Sequence, residues 1–339
     1  MSGWQHGCNV TGGPHDPDFR PTASWKHLRL RAELLARTRR FFLERGFLEV
    51  ETPLLSADTV VDRHLDPLSV VLPKDPRRPE VGRAMWLQTS PEFGMKRLLA
   101  AGAGAIYQIT RAFRAGEAGV LHNPEFTIVE WYRPGDDMAQ GMQLLSELSE
   151  ALLNLGPAEQ VSYGEAFRLH AGIDPHSATQ PELAELGRRW GIEVSPGAAL
   201  LDRDGWLNLL LAHLVEPHLG QAVPTILYDY PPTQAALAKV QGDPPLARRF
   251  ELYVRGIELA NGYHELVDPK LLRERNQTAN RQRTEDGKPA LPEQSRLLAA
   301  MEHGLGESTG VALGFDRLVM LAAGAASLAD VMAFPIDRA

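Results

Sequence analysis

The chain has 339 residues, with 35 Lys and Arg against 43 Asp and Glu, a formal net charge of −8. An acidic balance argues against a surface built mainly to grip phosphate backbones, and 44% hydrophobic content argues against global disorder. The single cysteine, Cys8, excludes an intrachain disulfide and cysteine-ligated zinc. The opening residues lack the apolar stretch of a secretory signal, and the longest nearly apolar run, 318–329, is interrupted by Gly324 and falls short of a bilayer span. These features predict a cytoplasmic protein with no membrane partner.

Residues 1–22 read as a flexible tail. Ser24 then offers an N-cap, Leu28, Ala32, Leu35 and Phe42 recur near the helical period, and Gly46 supplies the stop. Residues 47–53 alternate as a strand whose Pro53 suits an edge. The charged, proline-rich stretch 73–79 reads as an exposed loop. Residues 106–114 and 126–132 both alternate, and the glycine-bearing loop between them predicts an antiparallel pair. From about 138 to 222 the pattern turns helical, an insertion. Strands resume at 224–230 and 250–254, and the end reads strand 310–315, then helix 317–323. The fold class expected is α+β, an antiparallel sheet flanked by helices, forming one domain over 23–339.

Common catalytic signatures fail on context. Gly306-Glu307-Ser308-Thr309-Gly310 has the spacing of a serine-hydrolase elbow but lies between a helix and a strand, the reverse of what that elbow needs, so Ser308 reads as a loop residue. No histidine pair has zinc-binding helical spacing.

Charge stands in unexpected places at three points. Asn261-Gly262 between apolar residues predicts a two-residue hairpin, which would set Glu258 opposite Glu265 and place Glu251 on the same ribbon, with Gly256 a possible bulge. A hard cation such as Mg²⁺, or a substrate ammonium, would relieve that repulsion. In Gly314-Phe315-Asp316-Arg317, Asp316 reads as an N-cap; Arg317 then opposes the helix dipole by about 0.3–1 kcal/mol unless a bound anion offsets it. Arg111 and Arg114 end one strand, and Glu130 shares the Phe126–Ile128–Tyr132 face of the next. Arginines for phosphates and acids for a metal and an ammonium suggest nucleotide chemistry on an antiparallel sheet.

The motifs resemble a class II aminoacyl-tRNA synthetase core of the lysyl kind. Residues 39–55 resemble motif 1, the helix and strand of the dimer interface. Phe113-Arg114, His122-Asn123-Pro124-Glu125-Phe126 and Glu130-Trp131-Tyr132 resemble motif 2, and 310–317 resembles motif 3. Too few residues precede the first helix for an anticodon-binding OB domain, so the resemblance narrows to the truncated paralogues, the elongation factor P–(R)-β-lysine ligase family. The stretch 256–265 and the ending 333–339 are similar to that family.

The resemblance implies a homodimer that activates (R)-β-lysine with ATP and Mg²⁺ and acylates a lysine of elongation factor P, without tRNA. Arg114 would neutralise the α-phosphate, Arg317 would hold the γ-phosphate, and Phe126 would stack on adenine. The ATP set also takes in Ala115, Gly116, Glu117, His122, Asn123, Glu258, Leu259 and Gly314. Glu251 and Glu258 would carry the metal. Glu130, Tyr132 and Glu265 would receive the substrate's ammonium end, Asn261 would also bind substrate, and Ser90, Pro91 and Glu92 would close the pocket. Ala312, where lysyl-tRNA synthetases have glycine, would favour a β-amino acid.

The motif 2 loop departs from the usual Arg-Asn-Glu: it reads Arg114-Ala115-Gly116, with Glu117 one place later, so adenine reading passes to Glu117 or to backbone groups. Two other readings remain: a short lysyl-tRNA synthetase-like enzyme with another acceptor, and a catalytically silent regulatory paralogue.

Overall fold

The computed structural model describes residues 19–192 and 201–339. Residues 1–18 of the expected tail and 193–200 of the expected insertion lie outside the described residues. Helix α1 (Trp25–Glu44) starts as the sequence predicts, with the Ser24 hydroxyl accepting the His27 N–H. Strand β1 is only Leu48–Glu49, shorter than the expected 47–53. Strands β2 (Leu55–Ser56), β3 (Ser69–Pro73) and β4 (Gly82–Leu87) form a small separate sheet that the sequence reading did not foresee. The loop between β3 and β4 is exposed, as expected.

After α2 (Glu92–Ala100), β5 (Ile106–Phe113) and β6 (Glu125–Pro134) form the predicted antiparallel pair. Helix α3 (Met138–Leu153) opens the expected helical stretch. A short strand, β7 (Glu159–Ser162), then interrupts it before α4 (Tyr163–His170), α5 (Gln180–Arg189) and α6 (Arg203–Leu210). The remaining elements are β8 (Thr225–Tyr230), β9 (Val240–Gln241), β10 (Leu246–Val254), β11 (Ile257–His264), α7 (Pro269–Glu285), α8 (Arg296–Gly304), β12 (Ser308–Gly314) and α9 (Phe315–Ala323). Ser308 therefore opens a strand and is buried, rather than sitting in a loop.

The main sheet runs β1-β5-β6-β12-β11-β10-β8-β7, with β9 beside β10. It is antiparallel through the middle and parallel only at its two edge pairs, β1–β5 and β7–β8. One face is sealed by α1, α3 and α9. There Phe42 stacks on Tyr107 with ring centroids 4.5 Å apart and meets Trp131, whose strand neighbours point the other way. The helices after β7 pack a second core against β8 and β10, and α2 and α8 pack a third near β5 and β6.

The predicted turn at Asn261-Gly262 does not form. Strand β11 runs straight through both residues, and the β10–β11 turn lies earlier, at Arg255-Gly256, where φ is +53° and +74°. Packing explains why a glycine is needed at 262: a methyl group there would overlap the Phe250 ring on the neighbouring strand. Glu258 consequently faces Tyr253 and Glu251 faces Asn261, so Glu258 and Glu265 are not cross-strand partners; the bulge falls at Leu252/Tyr253 instead of Gly256. Asp316 is not the N-cap either. Gly314 occupies that position, which leaves both Asp316 and Arg317 in the first turn of α9.

Candidate active site

Register places the candidate residues. Gln108, Glu130, Ala312, Asn261 and Glu251 stand side by side across β5, β6, β12, β11 and β10, a polar row on the face away from α1 and α3. The adjacent row is Ile106, Tyr132, Gly310, Tyr263 and Arg249. Ala312 thus sits directly between Glu130 and Asn261, and the absence of a side chain at Gly310 leaves room for the Tyr132 ring and the Glu265 carboxylate.

At one end of these rows the site is a buried acid pocket. Glu130 is 2% exposed; its Oε2 accepts the Ser90 hydroxyl at 2.7 Å and its Oε1 accepts the Tyr132 hydroxyl at 2.6 Å. Ser90 Oγ also accepts the Glu92 N–H at 3.0 Å, so Ser90-Pro91-Glu92 turns into α2 against the pocket wall. Burial, then the nearby Glu92 carboxylate, pushes Glu130 up to about 7. Burial also drives Glu265 above the usual carboxylate range, with the neighbouring Lys96 opposing it. Lys96 lies 2.5 Å from both Glu92 and Glu265. Burial alone would lower Lys96, but Glu265 and Glu92 outweigh it and keep the ammonium charged. The sequence reading missed Lys96, although its place one helical turn after Glu92 was a usable signal.

Farther along the strands, past the ends of β5 at Phe113 and β12 at Gly314, lies an arginine-lined rim. The Arg114 guanidinium lies 4.9 Å from the Phe126 ring centroid and 3.8 Å from Glu117, and its Nε is buried without a hydrogen-bond partner among the described residues. The loop is tied down on both sides: Arg114 N–H donates to Pro124 O at 2.9 Å and Ala115 N–H to Asp66 O at 2.7 Å. Glu117 therefore stands beside Arg114 in spite of its shifted place in the sequence. Gly116 provides the turn, with φ of +79°. Arg317 donates to Leu121 O at 3.2 Å and to Glu258 O at 2.8 Å, close to Leu259 and Gly314. Its NH2 lies 2.7 Å from His122 Nε2. A guanidinium only donates, so this imidazole nitrogen accepts and the ring is neutral there. Burial, then Arg317, holds His122 below its usual value. Asn123 faces the other way: its amide donates to Glu125 O at 2.6 Å and accepts the Ile336 N–H at 2.9 Å, which pins the loop to the C-terminal segment.

The two expected metal carboxylates differ. Glu251 is fully engaged, its Oε2 accepting from Tyr230 at 2.5 Å and Tyr253 at 2.6 Å and its Oε1 paired with Arg249 at 2.5 Å. Among the described residues Glu258 has one ion pair, with Arg317 at 3.8 Å; desolvation and then Glu251's charge raise its carboxyl above the ordinary range, opposed by Arg317 and Arg249. Among the described residues no three His, Cys, Asp or Glu side chains gather as a metal cage. An open, repelled carboxylate suits a hard divalent cation such as magnesium. Arg249 was not anticipated; it stacks on Tyr230 at 4.7 Å and fixes Glu251.

Comparison with known proteins agrees with this arrangement. The family profile described as tRNA synthetases class II (D, K and N) matches residues 17–338. Proteins named elongation factor P–(R)-beta-lysine ligase from Salmonella paratyphi B, Salmonella schwarzengrund and Salmonella paratyphi C are each 47% identical over 322 residues, covering 95% of this chain and 98% of theirs. No helix among the described residues is long and apolar enough to cross a membrane. A site with acids at one end and arginines at the other, on a sheet of this order and with matches of this extent, shows that the chain belongs to the class II tRNA synthetase family of the D, K and N kind.

Proposed function

We propose that this chain activates (R)-β-lysine with ATP and transfers it to the ε-amino group of a lysine on elongation factor P. The observation that carries the reading is the buried pocket of Glu92, Glu130 and Glu265, which holds more acid than Lys96 neutralises. A substrate ammonium supplies the missing positive charge at Glu130, Tyr132 and Asn261, and its carboxylate then points to the arginine rim. Arg114 offsets the charge that builds up as the carboxylate attacks the α-phosphorus and pyrophosphate leaves. Neutral His122 steers Arg317 toward the far phosphates, Phe126 offers a face for the base, and Glu117 a carboxylate for its amino group. Bound magnesium, held by Glu258 with Glu251 behind it, would neutralise phosphate charge. In the second half-reaction the acceptor amine attacks the mixed-anhydride carbonyl, AMP departs, and the amine loses a proton to form the amide.

The Ala312 methyl, set between Glu130 and Asn261, narrows the floor of the pocket and supports a β-amino acid over an α-amino acid. Residues 23–339 act as one catalytic unit with the insertion at about 138–222, in a cytoplasmic enzyme that takes a protein acceptor instead of tRNA. Exposed Trp25, Leu43 and Leu48 support a homodimer through α1 and β1.

The test is the intact mass of elongation factor P after incubation with this protein, Mg·ATP and (R)-β-lysine. A gain of one lysyl unit is expected. AMP formation without that gain would keep the adenylating enzyme and reject the acceptor; neither signal would reject the activity.

A further inference from the structure

Asp316 is used in a way that its place in the chain does not suggest. It sits in the first turn of α9 next to Arg317, yet it is only 2% exposed, and its carboxylate turns into the protein. Its Oδ2 accepts the backbone N–H of Thr127 at 2.6 Å, and its Oδ1 lies 2.6 Å from NH1 of Arg31 on α1. The NH2 of Arg31 donates to the Thr127 hydroxyl at 2.6 Å, which also receives Arg111 NH1 at 3.0 Å. The β6–β12 ladder ends at the pair Ile128–Gly314, where the chain leaves the sheet for α9. Beyond that pair the Asp316 carboxylate supplies Thr127 with an acceptor after the β12 backbone has turned away.

This single carboxylate touches the strand carrying Phe126 and belongs to the helix carrying Arg317. Its counter-ion comes from α1, where Arg31 is 15% exposed and lies 5.3 Å from the Phe315 ring centroid. In such a poorly hydrated setting a paired charge holds its geometry tightly. We propose that Asp316 and Arg31 are positioning residues for the nucleotide, fixing the spacing between the base-stacking Phe126 and the phosphate-binding Arg317. The inference rests on the nucleotide-binding reading above.

Calorimetric titration of the full chain with Mg·ATP, together with KM values from ATP–pyrophosphate exchange, tests it. D316N can still accept the Thr127 N–H but loses the pull of Arg31, and R31M removes that pull from the more accessible side. Each is expected to weaken Mg·ATP binding about tenfold, a small displacement being enough for such a loss, while the amino-acid KM stays within about twofold. R31K restores most of the affinity. Unchanged ATP affinity in both variants, or an equal loss for both substrates, would overturn the proposal. If D316N does not fold, the comparison of R31M with R31K decides. Wild-type protein that binds no Mg·ATP would overturn the nucleotide reading itself and this inference with it. Wild-type binding with unaffected variants would overturn only this inference.

Discussion

Arg114 and Arg317 on the phosphate side are 28% and 21% exposed, whereas Glu130, Glu265 and Lys96 on the ammonium side are each 2% exposed or less. The rim holds its arginines through backbone carbonyls, a half-buried imidazole and a loose carboxylate, and leaves part of each guanidinium open to solvent. The acid pocket sets its charges against one another out of water. One side keeps its charges partly hydrated; the other is costly to desolvate and favours a matching charge. On the proposed reading of the site, the difference teaches that nucleotide recognition would tolerate a displaced glutamate, while amino-acid recognition would depend on a balance of charge.

Removing Arg114 should give the largest effect. Arg114→Ala is expected to lower kcat for ATP–pyrophosphate exchange by about 10²–10³ with little change in melting temperature, because it acts where charge develops. An unchanged kcat would mean that the rim does not stabilise the reacting phosphate. The opposite signature belongs to Lys96. Lys96→Met strands two buried carboxylates, and a destabilisation of about 3–5 kcal/mol is expected in chemical denaturation. A variant as stable as wild type would show that the pocket is not held by that ion pair.

The smallest and most discriminating effect is in pH. Glu130 lies near 7 in the empty pocket, so it is mostly protonated at pH 6 and ionised at pH 8. An ammonium prefers the ionised form, so the amino-acid KM should fall as pH rises, by up to about tenfold per unit below 7. Because its folded value lies above the ordinary one, the empty protein should also lose stability as pH climbs from the usual carboxylate range through about 7. The ligand should recover that stability, so the ligand-induced rise in melting temperature is greater at pH 8 than at pH 6. Glu130→Gln should flatten the KM profile; a slope that survives would assign it to another group.

Much of the sheet was legible because its residue types alternate along the strands, as read at 106–114 and 126–132, although β6 proves buried on both faces from Thr127 to Tyr132. The short β7 and β9 were not, since two to four residues cannot establish a period, and of the expected strand 47–53 only Leu48–Glu49 pairs in the sheet. Asn261-Gly262 misled for a physical reason: the dipeptide suits a turn, but tertiary packing against Phe250 required the small residue in mid-strand. Individual site residues such as Arg114, Glu130 and Arg317 could be picked out as charges in awkward positions, and motif order then grouped them. Lys96, Arg249 and Arg31 escaped because a cation on a helix or strand looks solvated until its distant partner is known. The Asp316 carboxylate likewise looked like a cap, and only the fold reveals its contact across to α1.

The polar row from Gln108 to Glu251 draws one residue from each of five adjacent strands, with neighbours in space separated by as many as 182 positions between Glu130 and Ala312. The Glu251–Asn261 pair lies on a local hairpin; the rest of the row needs more distant segments. A slip of one residue in any strand would turn that strand's contribution to the opposite face. Contacts of such long range form late, after the loops between them have closed. Catalytic competence is therefore tied to completion of the whole sheet: a nascent or partly unfolded chain cannot release a reactive mixed anhydride, and activity itself reports that folding has finished.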